Sequence, residues 1–319
     1  MSQEQTTEQP IADPGEPLRE PGASPAQERS LVRRGVAYTL IGGAFWGLSG
    51  TCSGVLMDTF GIQPLWLVCV RMFFAGILLC LLAEFQQRGS VRNVFRGRRI
   101  VAQMLVTTFC GLMLNSIAYL SCIHATDSGT ATILQSLNIP IILFWVCLRA
   151  RRLPRGKEWI GLVLALVGVV LIATHGDLSS LHMSPEGLAW GLVCATGAAV
   201  AGVGNRRVLA EKGSVPVMGV EMLMIGIAMG LVLQPWTQWP AFDASGWGLF
   251  AFTIICGSAA AFGLFYAGLR ILGAYRANLL GTIEPVTACV ASVVWLGVAF
   301  SPAEVVGFVA ILIMVVITG

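Results

Sequence analysis

From about residue 35 onward the chain consists of apolar runs of about 15 to 23 residues divided by short polar breaks. No other feature constrains the fold as much. A helix of ~20 apolar residues rising 1.5 Å per residue spans the ~30 Å hydrocarbon core of a bilayer. In lipid every backbone N–H and C=O must be satisfied within the protein, which leaves helices or closed barrels, and runs of this length suit helices. The chain is therefore expected to be an all-α integral membrane protein. Composition agrees, with 55% of the 319 residues hydrophobic and 12% charged, about half the charged share of a soluble domain. Mean hydropathy is +0.76.

Ten transmembrane helices are expected, at about 36–57, 64–84, 100–122, 128–148, 158–174, 187–209, 217–233, 247–269, 276–299 and 303–318. Residues 1–34 are rich in Glu, Gln and Pro and lack an apolar core, so they read as a disordered cytoplasmic tail and not as a signal peptide. The twenty Lys and Arg residues fix the orientation. Nineteen fall before span 1 or in alternate loops, such as Arg88 to Arg99, Arg149 to Lys157 and Arg206 to Lys212, and the other loops contain none. The remaining one, Arg71, lies inside span 2. By the positive-inside rule both termini are cytoplasmic, and a wrong span count would have scrambled the alternation.

The two halves resemble each other. "GGAFWGL" (42–48) recurs as "EGLAWGL" (186–192), "FCG" (109–111) as "ICG" (255–257), and "KEWIG" (157–161) as "AEVVG" (303–307). Pro140 in "SLNIPII" matches Pro285 in "GTIEPVT". The expected units are a first five-helix repeat over 35–175 and a second over 186–319. Because five is odd, the second copy enters the membrane inverted, the arrangement by which carriers exchange outward- and inward-facing states.

These motifs resemble the EamA-type branch of the drug/metabolite transporter superfamily. The features that match are Trp46-Gly47 in span 1, Arg71 in "VCVRMFFAG" of span 2, "EPV" in span 9, and Glu-x-x-Gly opening spans 5 and 10 (Glu158–Gly161, Glu304–Gly307). The resemblance covers roughly 35 to 319. It implies a multi-pass carrier of small metabolites in the bacterial inner (cytoplasmic) membrane, often handling amino acids or related compounds and often an exporter.

Candidate site residues follow from the cost of burying polarity. Glu284, followed by Pro285, sits about 13 Å from the near end of span 9, too deep to reach water along its own side chain. It must be neutral, paired, or facing a hydrated cavity. Pro285 and Pro140 each remove a backbone N–H and free carbonyls one turn back, so they are expected to kink spans 9 and 4 toward protein or water. Paired broken helices at equivalent places of an inverted repeat point to a central substrate site. Gln135 and Asn138 would share one face of span 4, with Asn115 and Tyr119 in span 3, Tyr266 in span 8, and Trp46 and Trp190 as aromatic walls. Glu284 is the expected coupling or substrate-contacting group, binding protons or a substrate ammonium. Its structural alternative is a carboxyl bonded to the other repeat and holding the kink.

Arg71 and Glu221 are expected as anchors or as a mutual ion pair more than as substrate contacts. Gly43, Gly47, Gly50 and Gly54 share one face of span 1 and read as helix packing. No GxxxxGK[ST] phosphate loop occurs, so no nucleotide cofactor is expected and transport is secondary. The nine cysteines lack CxxC spacing, and His124, His175 and His182 fit no ligand pattern, so no metal is expected. The basic loops are explained by topology and anionic lipid without nucleic acid. A membrane-embedded enzyme would need a nucleophile–base pair or paired carboxylates at membrane depth, and none is visible. Transport is the leading reading, with a proton-independent facilitator or uptake carrier as the alternative.

Overall fold

The computed structural model describes residues 25–154, 156–177 and 182–318. Among these, the regular elements are all helical. Nine helices are long and apolar enough to cross a bilayer, and a shorter apolar helix, Pro302–Thr318, follows as a tenth. Span 1 starts at Pro25, eleven residues before the expected start at 36, and runs to Phe60. The rest of the expected tail lies outside the described residues. Spans 2, 5, 6 and 7 are Pro64–Gln86, Gly156–Thr174, Pro185–Lys212 and Ser214–Leu233.

The four remaining spans are interrupted. Span 3 (Arg98–Ala125) passes through a π-helical segment at Thr107–Met113. Span 8, opening with Ala244–Ile254, passes through another at Ile255–Ala260 before Ala261–Leu272. These segments contain the repeated "FCG" and "ICG", so the bulges are equivalent features of the two repeats. Span 4 is two helices, Ser128–Gln135 and Asn138–Arg149, and span 9 is Ala274–Gly281 and Ile283–Leu296. In both spans the break precedes the proline, which sits in the first turn of the second helix, where its missing N–H leaves no bond unmade. At the break in span 9 Leu279 O accepts from Thr282 N at 3.4 Å and from the Thr282 hydroxyl at 2.8 Å.

Packing follows the repeat. Span 1 packs on spans 8 and 9 as span 6 packs on 3 and 4, and spans 2 with 7 and 5 with 10 form the remaining tight pairs. Exchanging the two halves maps each of these pairings onto itself or onto its counterpart. Glycines set the closest approaches. A Cβ on Gly226 would meet Phe73 Cα at 2.5 Å and one on Gly219 would meet Cys80 N at 2.9 Å, so spans 2 and 7 touch backbone to backbone. Gly76 lies against Leu223 in the same antiparallel seam. Gly76→Val is expected to overpack this seam at a cost of roughly 1–3 kcal/mol. Thermal unfolding of the detergent-solubilised variant should show a lowered midpoint.

Of the five spans that enter from the side opposite the basic loops, four (4, 6, 8 and 10) are capped by side chains, and span 2 is not. The Asp127 carboxylate accepts from Gly129 N and Thr130 N, and the Ser184 hydroxyl accepts from Gly187 N. The Asp243 carboxylate accepts from Gly246 N, and that bond and one from the Ser245 hydroxyl hold it below the usual carboxylate range. Ser301 and Glu304 form a reciprocal box, Ser301 N donating to Glu304 Oε2 at 2.7 Å and Glu304 N to Ser301 Oγ at 3.2 Å. Glu158, at the equivalent start of span 5, instead receives Arg152 through both guanidinium nitrogens, at 2.7 and 2.8 Å.

Candidate functional site

Seven spans converge on a cavity of about 210 Å³ near the middle of the bundle. It is lined by Trp46, Ser49 and Gly50 from span 1, Arg71 and Met72 from span 2, and Leu112, Asn115, Ser116 and Tyr119 from span 3. Gln135 (span 4), Met222 (span 7), Gly257, Ser258 and Phe262 (span 8) and Glu284 (span 9) complete the wall. Five of the expected residues are therefore brought together: Trp46, Asn115, Tyr119, Gln135 and Glu284.

Local structure explains how they meet. The small residues of span 1 allow two neighbours to approach. A Cβ on Gly43 would meet Ile283 Cγ2 at 2.6 Å and one on Gly47 would meet Glu284 O at 2.5 Å, so span 9 is seated directly on span 1 at the residue of interest. A Cβ on Gly50 would meet the Tyr119 hydroxyl at 2.5 Å, which seats span 3 beside it. The Tyr119 hydroxyl shares a hydrogen bond with Thr132 Oγ1 at 2.9 Å. The Cys194 thiol donates to Asn115 Oδ1 at 3.2 Å and lies 3.6 Å from Gln135 Oε1, tying spans 3, 4 and 6 behind the wall. Trp46 is wedged between Phe262 and Phe265, each with ring centroids 4.9 Å away.

The two charged groups of the wall are the informative ones. Arg71 is 9% exposed and makes no ion pair among the described residues, and its buried Nε has no hydrogen-bond partner. The Glu284 carboxyl likewise makes no hydrogen bond or ion pair with described residues, so none of them holds the kink through it. A guanidinium and a carboxyl thus border one small cavity without touching each other. The Ser49 hydroxyl, also buried there, is unpartnered as well.

The expected Arg71–Glu221 pair does not form. Phe73 faces Gly226 and Cys80 faces Gly219 across the antiparallel spans, which carries Arg71 and Glu221 past each other by seven residues, about 10 Å. Glu221, fully buried, instead accepts from Asn205 Nδ2 at 2.9 Å and lies 3.4 Å from Thr107 Oγ1, itself bonded to Asn205 Oδ1. This network joins spans 3, 6 and 7 away from the cavity. Arg71 lines the cavity instead, and the signal for it in the sequence is a charge one to two turns inside an apolar span.

Three expected residues are not brought to the cavity. Asn138 opens the second helix of span 4, and the break after Gln135 ends the continuous face that would have joined the two residues. The Trp190 indole donates to Glu186 Oε1 at 3.3 Å, so it is anchored one turn back on its own helix. Tyr266 lies one turn beyond Phe262 and stacks on it with centroids 6.2 Å apart; Phe262 takes the cavity position. Ser49, Ser116 and Ser258 line the site without having been singled out, since serines at membrane depth are too common to stand out. Among the described residues no group of three His, Cys, Asp or Glu could hold a metal. His175 and His182 stack at 5.1 Å, with His175 Nε2 3.2 Å from Glu304 Oε1.

On the side opposite the basic loops the two broken spans meet. There Ser128–Gln135 packs on Ile283–Leu296, and Ser128 Oγ shares hydrogen bonds with Ser292 Oγ at 2.9 Å and Thr51 Oγ1 at 2.8 Å, all three residues fully buried. On the basic side the other halves diverge, Asn138–Arg149 turning to spans 6 and 5 and Ala274–Gly281 to spans 8 and 1.

Comparison with known proteins agrees with this architecture. The profile of the EamA-like transporter family matches twice, over residues 33–174 and 185–319. An uncharacterised inner membrane transporter of Salmonella typhimurium, YicL, is 28% identical over 290 residues, 90% of this chain and 95% of that one. An uncharacterised transporter of Synechocystis is 27% identical, covering 85% of this chain and 88% of its own. The Bacillus subtilis transporter YwfM, also uncharacterised, is 25% identical with the same coverage. A protein of known crystal structure shares the fold, with a TM-score of 0.60 at 16% identity over 91% of this chain and 96% of the other. Two five-helix repeats, paired helix breaks and a family match over both halves lead to one conclusion: this chain is a multi-pass membrane protein belonging to the EamA-like transporter family of the drug/metabolite transporter superfamily.

Proposed function

We propose that the protein is a secondary transporter that moves a small zwitterionic metabolite, an amino acid or a close relative, outward across the bacterial inner membrane by alternating access. The observation that carries this reading is the pair of unpaired charges, Arg71 and Glu284, on one cavity of about 210 Å³. Pockets for drug-sized ligands measure about 300–1,000 Å³, so the site suits a smaller solute. A carboxylate on the substrate answers the Arg71 fork and an ammonium answers Glu284, and each charge recovers in the complex what it lost on leaving water. Both termini are cytoplasmic on this reading, so the halves that diverge on the basic side open the cavity inward, to the loading side for export. Glu284 also couples the cycle to protons, since a carboxyl with no protein partner can exchange a proton when the substrate ammonium leaves.

Counterflow in proteoliposomes tests the assignment, with a panel of labelled amino acids, nucleosides and amphiphilic cations, with and without a pH gradient. The expected result is exchange of amino acids, accelerated by the gradient in the wild type and indifferent to it in Glu284→Gln. Equal exchange in both proteins, with no response to the gradient, would assign Glu284 no part in coupling and make the carrier a facilitator. Exchange restricted to nucleosides or cations would dismiss the zwitterion.

A further inference from the structure

A second cavity, of about 690 Å³, opens between spans 3, 4 and 6 on the half of the membrane nearer the basic loops. Val106, Ile142, Trp145 and Val203 are among the residues that form its wall, and Val106 and Trp145 are 58% and 51% exposed. Each of its three polar side chains is committed elsewhere. Gln103 donates to Gly204 O, Thr107 to Asn205 Oδ1, and Thr196 to Leu192 O at 2.8 Å. Apart from the Trp145 indole N–H, the cleft therefore presents hydrocarbon and no free side-chain group that would hold a polar solute.

Its rim is different. Arg98 precedes Ala102 by one turn, Arg149 follows Trp145 by one turn, and Arg206 follows Val203 by three residues, so each of the three helices that wall the cleft carries an arginine on the same face at its basic end. All three arginines are exposed, and none is paired with a carboxylate among the described residues. Arginines at that level lie at headgroup depth and attract anionic lipid, while the cleft lies beside the acyl chains.

We infer that this cleft is a binding site for an anionic phospholipid of the leaflet on the basic side, with an acyl chain between spans 3, 4 and 6 and the phosphate held by Arg98, Arg149 and Arg206. The site stands whatever the central cavity carries. Trp145 makes it observable. In proteoliposomes containing phosphatidylglycerol or phosphatidylethanolamine brominated on the acyl chain, quenching of the Trp145 component is the wild-type signal minus that of Trp145→Phe. The expected result is half-maximal quenching at about a fivefold lower mole fraction of phosphatidylglycerol than of phosphatidylethanolamine.

In Arg98→Gln/Arg149→Gln/Arg206→Gln the two lipids should quench alike. Because removing arginines also weakens the topological signal, Val203→Phe serves as a second variant; it keeps every arginine, fills the cleft, and should reduce quenching by both lipids. Equal quenching by the two lipids in the wild type, or a preference that survives the arginine substitutions, would overturn the inference and leave ordinary boundary lipid. Absence of quenching by either lipid would also overturn it, as expected if a second copy of the chain covers the cleft.

Discussion

Arg71→Gln is expected to weaken counterflow of a zwitterionic substrate by at least about thirtyfold, the low end of the 2–5 kcal/mol that follows truncation of a buried charge that pairs with its ligand. The fold should tolerate the change. Arg71 has no ion-pair partner among the described residues, so its removal strands no countercharge bonded to it, the usual cause of collapse when an internal pair is broken. Thermal stability of the variant should stay near that of the wild type while apparent affinity falls. Arg71→Lys should recover the loss in part, since an ammonium keeps the charge and lacks the planar fork that meets both carboxylate oxygens.

The chemical control is a substrate whose carboxylate is masked as a methyl ester. It should bind the wild type poorly and lose almost nothing further in Arg71→Gln. The reciprocal experiment pairs Glu284→Gln with a substrate lacking the ammonium. A crossed pattern, each variant indifferent to the analogue that lacks its own partner, measures both contacts as coupling energies. Uniform loss across all analogues would show that Arg71 shapes the cavity and does not read the substrate.

Gly129→Cys should convert the side opposite the basic loops into an oxidisable lock. A Cβ built on Gly129 lies 3.1 Å from the Cys289 sulfur and 3.0 Å from its Cα, so the new thiol starts within reach of the ~2.04 Å bond length of a disulfide. Both residues belong to the halves of spans 4 and 9 that meet through Ser128 and Ser292. If transport requires those halves to part, oxidation should lower counterflow by more than about tenfold and reductant should restore it. The nine native cysteines are all free, which makes wild-type protein under the same oxidant the necessary control. Full cross-linking, verified by mass spectrometry, with flux unchanged would mean that the cavity is reached without separating spans 4 and 9 there.

Much of the architecture was legible along the chain. Prolines at 140 and 285 located the two helix breaks, which lie at 136–137 and 282, just before each proline and not beyond it. Gly43 and Gly47 announced a close approach on span 1, and Glu284 proved to be the residue pressed against it. The repeated "FCG" and "ICG" were visible too, but nothing in them indicated π-helical turns. That geometry depends on how spans 3 and 8 are gripped by their neighbours. Repeat equivalence misled at Trp190, which shares its place in the repeat with Trp46 yet bonds Glu186. The central cavity does not follow the pseudo-symmetry, because Glu284 has Ile139 as its counterpart in the other half.

By itself the sequence determined the number of spans, the alternation of basic and neutral loops and the inverted duplication. Hydrocarbon thickness sets helix length and backbone satisfaction enforces helicity, and both act on segments one at a time. Tertiary structure alone decided which polar groups face one another. Arg71 and Glu221 occupy matching places in their repeats, yet the seam between spans 2 and 7 slides them about 10 Å apart, sending Arg71 to the central cavity and Glu221 to Asn205. Helix rotation and register arise from contacts between segments distant in the chain, and no periodicity within one segment records them.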